Sequence, residues 1–125
     1  SIDYKTEPED LTVFADRTHF SNILSNLIDN AVKYSLEKAV IHIRCRETEV
    51  NGKVEISVTD EGIGIAQEKQ KHIFDKFYRV PTGNLHNVKG YGLGLYYVKT
   101  MIEKHGGTVC VESEPGHGST FTIML

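Results

Sequence analysis

The chain has 125 residues, 39% apolar and 25% charged, which supports one hydrophobic core and excludes both a second sizeable domain and wholesale disorder. Seventeen acidic residues outweigh 14 basic ones, leaving a net charge of −3, and this excludes a general binder of nucleic-acid backbones. No apolar run approaches the roughly 20 residues that span a bilayer, and no signal-peptide pattern opens the chain. A reduced, cytoplasmic domain that does not insert in a membrane is expected.

The sequence enters strand-like residues almost at once, as a piece of a longer polypeptide would. Residues 11–15 read as a short strand, with Asp16 as the N-cap of the helix that follows. Phe20, Ile23, Leu24, Leu27, Ile28 and Ala31 recur at the spacing of an amphipathic helix. Ile41, Ile43 and Cys45 alternate with polar residues, as do Val54, Ile56 and Val58, so two half-buried strands are expected. Asn51-Gly52 between them predicts a tight hairpin turn.

Of the 11 glycines only Gly52 precedes Asp60, so the special turns belong to the second half. A short helix is expected over residues 67–77, followed by an aperiodic loop over 81–89. Leu95, Val98, Met101 and Ile102 predict a third helix, ended by Gly106-Gly107. Val109 and Val111, then Phe121, Ile123 and Leu125, predict two last strands around a Pro115-Gly116 turn. Three helices on a mixed, mostly antiparallel sheet of about five strands make a two-layer α/β sandwich. Cys45 and Cys110 lie inside apolar runs without metal-ligand spacing and read as small buried hydrophobes. The six histidines are scattered and share no ligand spacing.

Four segments could carry chemistry. Asn26, Asn30 and Lys33 fall four and three apart, on one polar stripe of the first helix. Most such stripes are simply solvated, but two amides and an ammonium without carboxylate partners suit a magnesium–phosphate group. In Asp60-Glu61-Gly62-Ile63-Gly64 the strand parity points Asp60 inward with Val54, Ile56 and Val58. Its carboxylate is satisfied either by the turn amides of residues 62–64 or by an exocyclic amine such as that of adenine. The glycines would let a flat ring approach the backbone. The segment 74–79 ends in Arg79, where a cation could reach a phosphate. Residues 90–95, Gly-Tyr-Gly-Leu-Gly-Leu, run into a helix N-terminus, which exposes N–H groups to an anion. This is neither a dinucleotide fingerprint nor a P-loop.

Taken in order, the segments NLIDNAVKYS (26–35), DEGIG (60–64), FDKFYR (74–79) and GYGLGL (90–95) resemble the ATP-binding boxes of two-component sensor histidine kinases. His105-Gly-Gly and GHGSTF (116–121) resemble the closing segment of that family. The resemblance spans essentially the whole chain. It implies the Bergerat sandwich shared with gyrase, mismatch-repair and chaperone ATPases, with a lid over about 80–92. It also implies Asn30 as the Mg²⁺ ligand, Asn26 and Lys33 near the phosphates and Tyr34 against adenine. Asp60 would hold the adenine amino group, with Gly62, Gly64, Gly90, Gly92, Leu93 and Gly94 lining the nucleotide site. Arg79 resembles the arginine that approaches the γ-phosphate, so Asn26, Lys33 and Arg79 are the candidate catalytic residues.

The resemblance implies a kinase that takes Mg²⁺-ATP and phosphorylates a histidine on a separate helical dimerisation domain, with a response regulator as indirect partner. That phosphoacceptor hairpin is not among these residues. Hydrolytic relatives carry a glutamate one turn before the magnesium asparagine; here that position is Asn26, which cannot act as a general base. Two alternatives stay open: a hydrolytic ATP-driven clamp on the same fold, and a degenerate nucleotide-sensing docking module.

Overall fold

The computed structural model describes residues 2–7 (backbone only), 17–34, 40–48, 53–76 and 94–125. In chain order these form β1 (Ile2–Glu7), α1 (Arg17–Lys33), β2 (Ile41–Glu47), β3 (Val54–Asp60), α2 (Gln67–Gln70), α3 (Gly94–Lys104), β4 (Thr108–Ser113) and β5 (Ser119–Met124). The sheet runs β1-β2-β3-β5-β4. Strands β2, β3, β5 and β4 form an antiparallel set of four, and β1 adds to its edge in parallel with β2.

Alternation decides which face is buried. Ile41 and Ile43 of β2, Val54, Ile56 and Val58 of β3, and Phe121 and Ile123 of β5 turn to one side. There they meet Ile23, Leu27 and Ala31 of α1 and Val98 and Ile102 of α3, in one core. Residues spaced three and four apart on each helix supply that stripe, and α1 and α3 pack side by side. The other sheet face is polar, with Arg46 paired to Glu55 across β2 and β3 at 3.0 Å. This is the expected two-layer sandwich.

The strand-like entry of the chain is β1, Ile2–Glu7, whereas the strand expected over residues 11–15 and its neighbour Asp16 lie outside the described residues. Other local expectations are corrected. The helix expected over 67–77 is a single turn, Gln67–Gln70. Beyond it the bonds shorten to His72 N–H on Lys69 O and Asp75 N–H on His72 O, the i to i+3 spacing of successive turns rather than of an α-helix. Phe74 from those turns packs edge-on against Phe121, 6.1 Å between ring centroids.

Glu47 stands opposite Val54, and Thr48 N–H donates to Lys53 O. The antiparallel pairing of β2 with β3 agrees with the expected hairpin, while Asn51-Gly52 themselves lie outside the described residues. Cys110 is exposed rather than buried, because Val109 and Val111 take the core side of β4 and the alternation turns Cys110 to the polar face. Cys45 is half-buried on the core side of β2, and that burial raises its thiol pKa. The third helix ends as expected, with Gly107 N–H returning to Ile102 O at 2.9 Å.

Candidate functional site

The end of β3 carries Asp60, a buried acid at 4% exposure. Its parity with Val54, Ile56 and Val58 brings the carboxylate to the helix side of the sheet, as the alternation predicts. Gly62 N–H donates to its Oδ1 at 2.9 Å, and the Ser119 N–H donates to the same carboxylate. Desolvation by burial raises its pKa above the ordinary 3.8, and these two N–H groups partly offset the rise. Of the turn amides expected to satisfy the acid, only that of Gly62 does so, and the second N–H comes from Ser119 on the neighbouring strand β5. A carboxylate offers about four lone-pair positions, so two N–H partners leave capacity for a ligand donor.

The loop after Asp60 lies tightly against α1. Ile63 N–H donates to Tyr34 O at 3.1 Å, and Tyr34 N–H closes the helix on Asn30 O at 3.2 Å. A Cβ built on Gly62 would overlap the Tyr34 carbonyl oxygen and lie 2.9 Å from Asp60 Oδ1, so only glycine fits. Gly64 has φ +75°, the left-handed region that glycine adopts without strain, and a Cβ there would overlap the Glu114 carbonyl. The two glycines thus dock the loop on α1 and on the β4–β5 turn.

The polar stripe of α1 meets α3 at its first residue. Asn26 and Asn30 are half-buried and Lys33 is exposed in the last turn. Asn26 Nδ2 donates to Asn22 O at 2.8 Å, and its Oδ1 would lie 3.0 Å from a Cβ on Gly94. Gly94 opens α3, whose first N–H groups have no partners within the helix. Helix α1 is therefore met twice along its length, by the start of α3 at Asn26 and Gly94 and by the Asp60 loop where Gly62 and Ile63 reach Tyr34. Asn30 and Lys33 lie on the turns between, while Gly64 docks on the β4–β5 turn instead. Arg79, Gly90, Gly92, Leu93 and the lid expected over about 80–92 lie outside the described residues.

The donor set fits a nucleotide-borne magnesium ion. No group of three or more His, Cys, Asp or Glu side chains able to hold a metal occurs among the described residues. A neutral amide such as Asn30 is the kind of single oxygen ligand that joins phosphate oxygens and water around Mg²⁺. A cleft of about 660 Å³ also opens beside Asp60, bounded by Gln67, Gln70, Ser113, His117 and Thr120. Residues of α1 contribute nothing to its lining, so it is not the place where the stripe lies.

Sequence reasoning missed the hydroxyl pair behind Asp60. Ser113 Oγ lies 2.8 Å from Ser119 Oγ and accepts the Ile65 N–H at 2.7 Å, while Gln70 Nε2 donates to the carbonyls of Ile65 and Ser113. The available signal was parity: Ser113 continues the series Val109, Val111, and Ser119 begins the series Phe121, Ile123. Both positions are core-facing yet polar.

Residues 15–125 match the family model for histidine kinase-, DNA gyrase B- and HSP90-like ATPases. The sensor protein RprX of Bacteroides fragilis is 51% identical over 113 residues, covering 90% of this chain and 22% of its own length. The chain therefore spans about a fifth of that curated relative. Among solved structures, the nucleotide-free catalytic domain of histidine kinase ThkA superposes with a TM-score of 0.82 at 33% identity, covering 99% of this chain and 79% of that one. Full-length ShkA in complex with AMPPNP matches with a TM-score of 0.81 at 30% identity, over 98% of this chain and 24% of that one. No helix among the described residues is long and apolar enough to cross a membrane. From the family match over residues 15–125, the relatives and the shared fold, the chain belongs to the histidine kinase-, DNA gyrase B- and HSP90-like ATPase family, as a catalytic ATPase domain of the sensor histidine kinase type.

Proposed function

We propose that the domain binds Mg²⁺-ATP along the α1 stripe, between the Asp60 loop and the start of α3, and donates the γ-phosphoryl group to a histidine on a separate helical dimerisation domain. A response regulator is the indirect partner downstream. The observation that carries this reading is the arrangement along α1: a buried acceptor at Asp60, an amide stripe at Asn26 and Asn30, and the N-terminal end of α3 at Gly94.

Each part has a chemical role in the proposal. Asp60 accepts from the exocyclic amine of the base, Asn30 holds Mg²⁺, and Lys33 with Arg79 screens phosphate charge. Bound Mg²⁺ would neutralise charge on the phosphate oxygens. Phosphoryl transfer asks the protein mainly for placement, which suits a site made of fixed N–H groups and amides. Asn26 bonds through its amide to Asn22 O and offers no base to a water molecule. That chemistry supports a kinase which protects its γ-phosphate, and it argues against a hydrolytic clamp.

Titration with Mg²⁺-ATP and with Mg²⁺-GTP tests binding, with preference for ATP expected. Radiolabelled ATP is then given to the chain alone, to a matching acceptor domain alone, and to the mixture. Acid-labile, base-stable label on the acceptor only in the mixture is expected. Strong labelling of the chain itself, or rapid phosphate release without acceptor, would refute the assignment of roles.

A further inference from the structure

Asp60, Ser119 and Ser113 stand in one register row across β3, β5 and β4. The next row inward is Val58, Phe121 and Val111, so a polar row closes an apolar face. Such a row is costly unless each group is paired, and among the described residues no buried side-chain nitrogen or oxygen lacks a partner. Ser113 is the hub. Its Oγ accepts the Ile65 N–H at 2.7 Å, donates to Gly118 O at 2.7 Å and lies 2.8 Å from Ser119 Oγ.

A hydroxyl has one proton and two lone pairs. Gly118 O can only accept, so the Ser113 proton is committed to it. The bond between the hydroxyls is therefore donated by Ser119, and Ser119 keeps lone pairs alone for any other neighbour. Ser113 is itself held in place, since Gln70 Nε2 donates to Ser113 O at 2.8 Å and to Ile65 O at 2.9 Å. A Cβ on Gly118 would overlap the Asp60 carbonyl, which leaves the turn no room to shift toward β3. If the Asp60 carboxylate receives the base amine as proposed, the row thus presents a second acceptor beside it, Ser119 Oγ.

We propose that Ser113 is a positioning residue for base selection: by taking the Ser119 proton it holds Ser119 as an acceptor, so that the row admits a 6-amino purine and disfavours a 6-oxo purine. The inference rests on the reading that this site binds a purine nucleotide. Without the Ser113 hydroxyl, Ser119 can turn its proton toward a 6-oxo group, and discrimination falls even while Asp60 is intact.

The test titrates the 125-residue chain with Mg²⁺-ATP and with Mg²⁺-inosine triphosphate, in wild type, Ser113→Ala, Ser113→Thr and Ser119→Ala, with melting curves alongside. Ser113→Ala is expected to lower the ratio of ATP to inosine triphosphate affinity about fivefold, as loss of one hydrogen-bond preference would. Threonine, which restores the hydroxyl, brings the ratio back. Ser119→Ala lowers the same ratio, and adding Ser113→Ala to it changes the ratio no further, because the two act through one bond. Should Ser113→Ala melt too low to titrate, Ser113→Cys, which keeps the shape but is a weak hydrogen-bond partner, takes its place with the same fall in ratio expected. An unchanged ratio, or equal losses for both nucleotides, would overturn the role of Ser113. Wild-type chain that binds neither nucleotide would instead overturn the nucleotide reading beneath it.

Discussion

Gly94 stands directly against Asn26: a Cβ on the first residue of α3 would lie 3.0 Å from the Asn26 Oδ1, while Asn26 Nδ2 stays bonded to Asn22 O at 2.8 Å. The start of one helix is thereby held at an uncharged amide in the middle of another. An amide there keeps the N-terminal end of α3 open to an anionic ligand, where a carboxylate would compete for its positive dipole end.

Gly94→Ala is expected to displace the Asn26 amide with little effect on stability. The neighbour that must move is a side-chain end, and alanine is the better helix former by up to about 1 kcal/mol. Nucleotide affinity should fall by about 1 kcal/mol, the value of one disturbed hydrogen bond. Melting curves and Mg²⁺-ATP titration of the variant measure the two effects separately.

Gly62→Ala is expected to act on the fold instead. Its Cβ would meet the Tyr34 carbonyl, a backbone atom at the end of α1 that also receives the Ile63 N–H. Backbone cannot rotate away, so the loop or the helix end must shift. A loss of about 1–3 kcal/mol is expected, as for other overpacked sites. Chemical denaturation checks it, and a wild-type midpoint would show that the loop is not docked on α1.

Much of this arrangement was legible in the sequence because it follows from period alone. Ile23, Leu27 and Ala31 announce the buried stripe of α1, and the polar stripe beside it comes with no further information. The parity of Val54, Ile56 and Val58 suffices to turn Asp60 inward. What period does not carry is pairing between distant segments. The parallel addition of β1 to β2 leaves no mark on either strand. The Ser113 hub depends on the register of β4 against β5 and on the approach of the Ile65 loop. Cys110 was a misreading of available information, since the neighbours Val109 and Val111 already assign it to the outer face. The helix expected over 67–77 overran because successive turns bury Ile73 and half-bury Phe74 against the core without needing a helix.

Asn30→Ala should remove the benefit that magnesium confers on nucleotide binding while sparing the fold. Asn30 lies on the polar stripe, half-buried, and alanine favours the helix by about 0.5 kcal/mol. Affinities with and without Mg²⁺ are compared for wild type and variant. Equal strengthening by magnesium in both would remove Asn30 from the metal's ligands.

The titration of Asp60 should move stability and affinity in opposite directions. Burial raises its pKa in the folded state above the ordinary 3.8, outweighing the Gly62 and Ser119 N–H groups. Between the unfolded and folded values the native chain binds more protons than the unfolded one. The stability Asp60 contributes is therefore fully present below about pH 3.8 and is lost as pH rises through the folded value. Nucleotide binding runs the other way, because the ionised carboxylate is the stronger acceptor for the base amine, so affinity grows as the proton leaves. Asp60→Asn removes both dependences and should weaken Mg²⁺-ATP binding by about 2 kcal/mol at neutral pH. Denaturation and nucleotide titration across the acid range, wild type against variant, cancel the titration of ATP itself. Profiles that stay parallel in the two proteins would show that Asp60 neither carries the shifted proton nor reads the base.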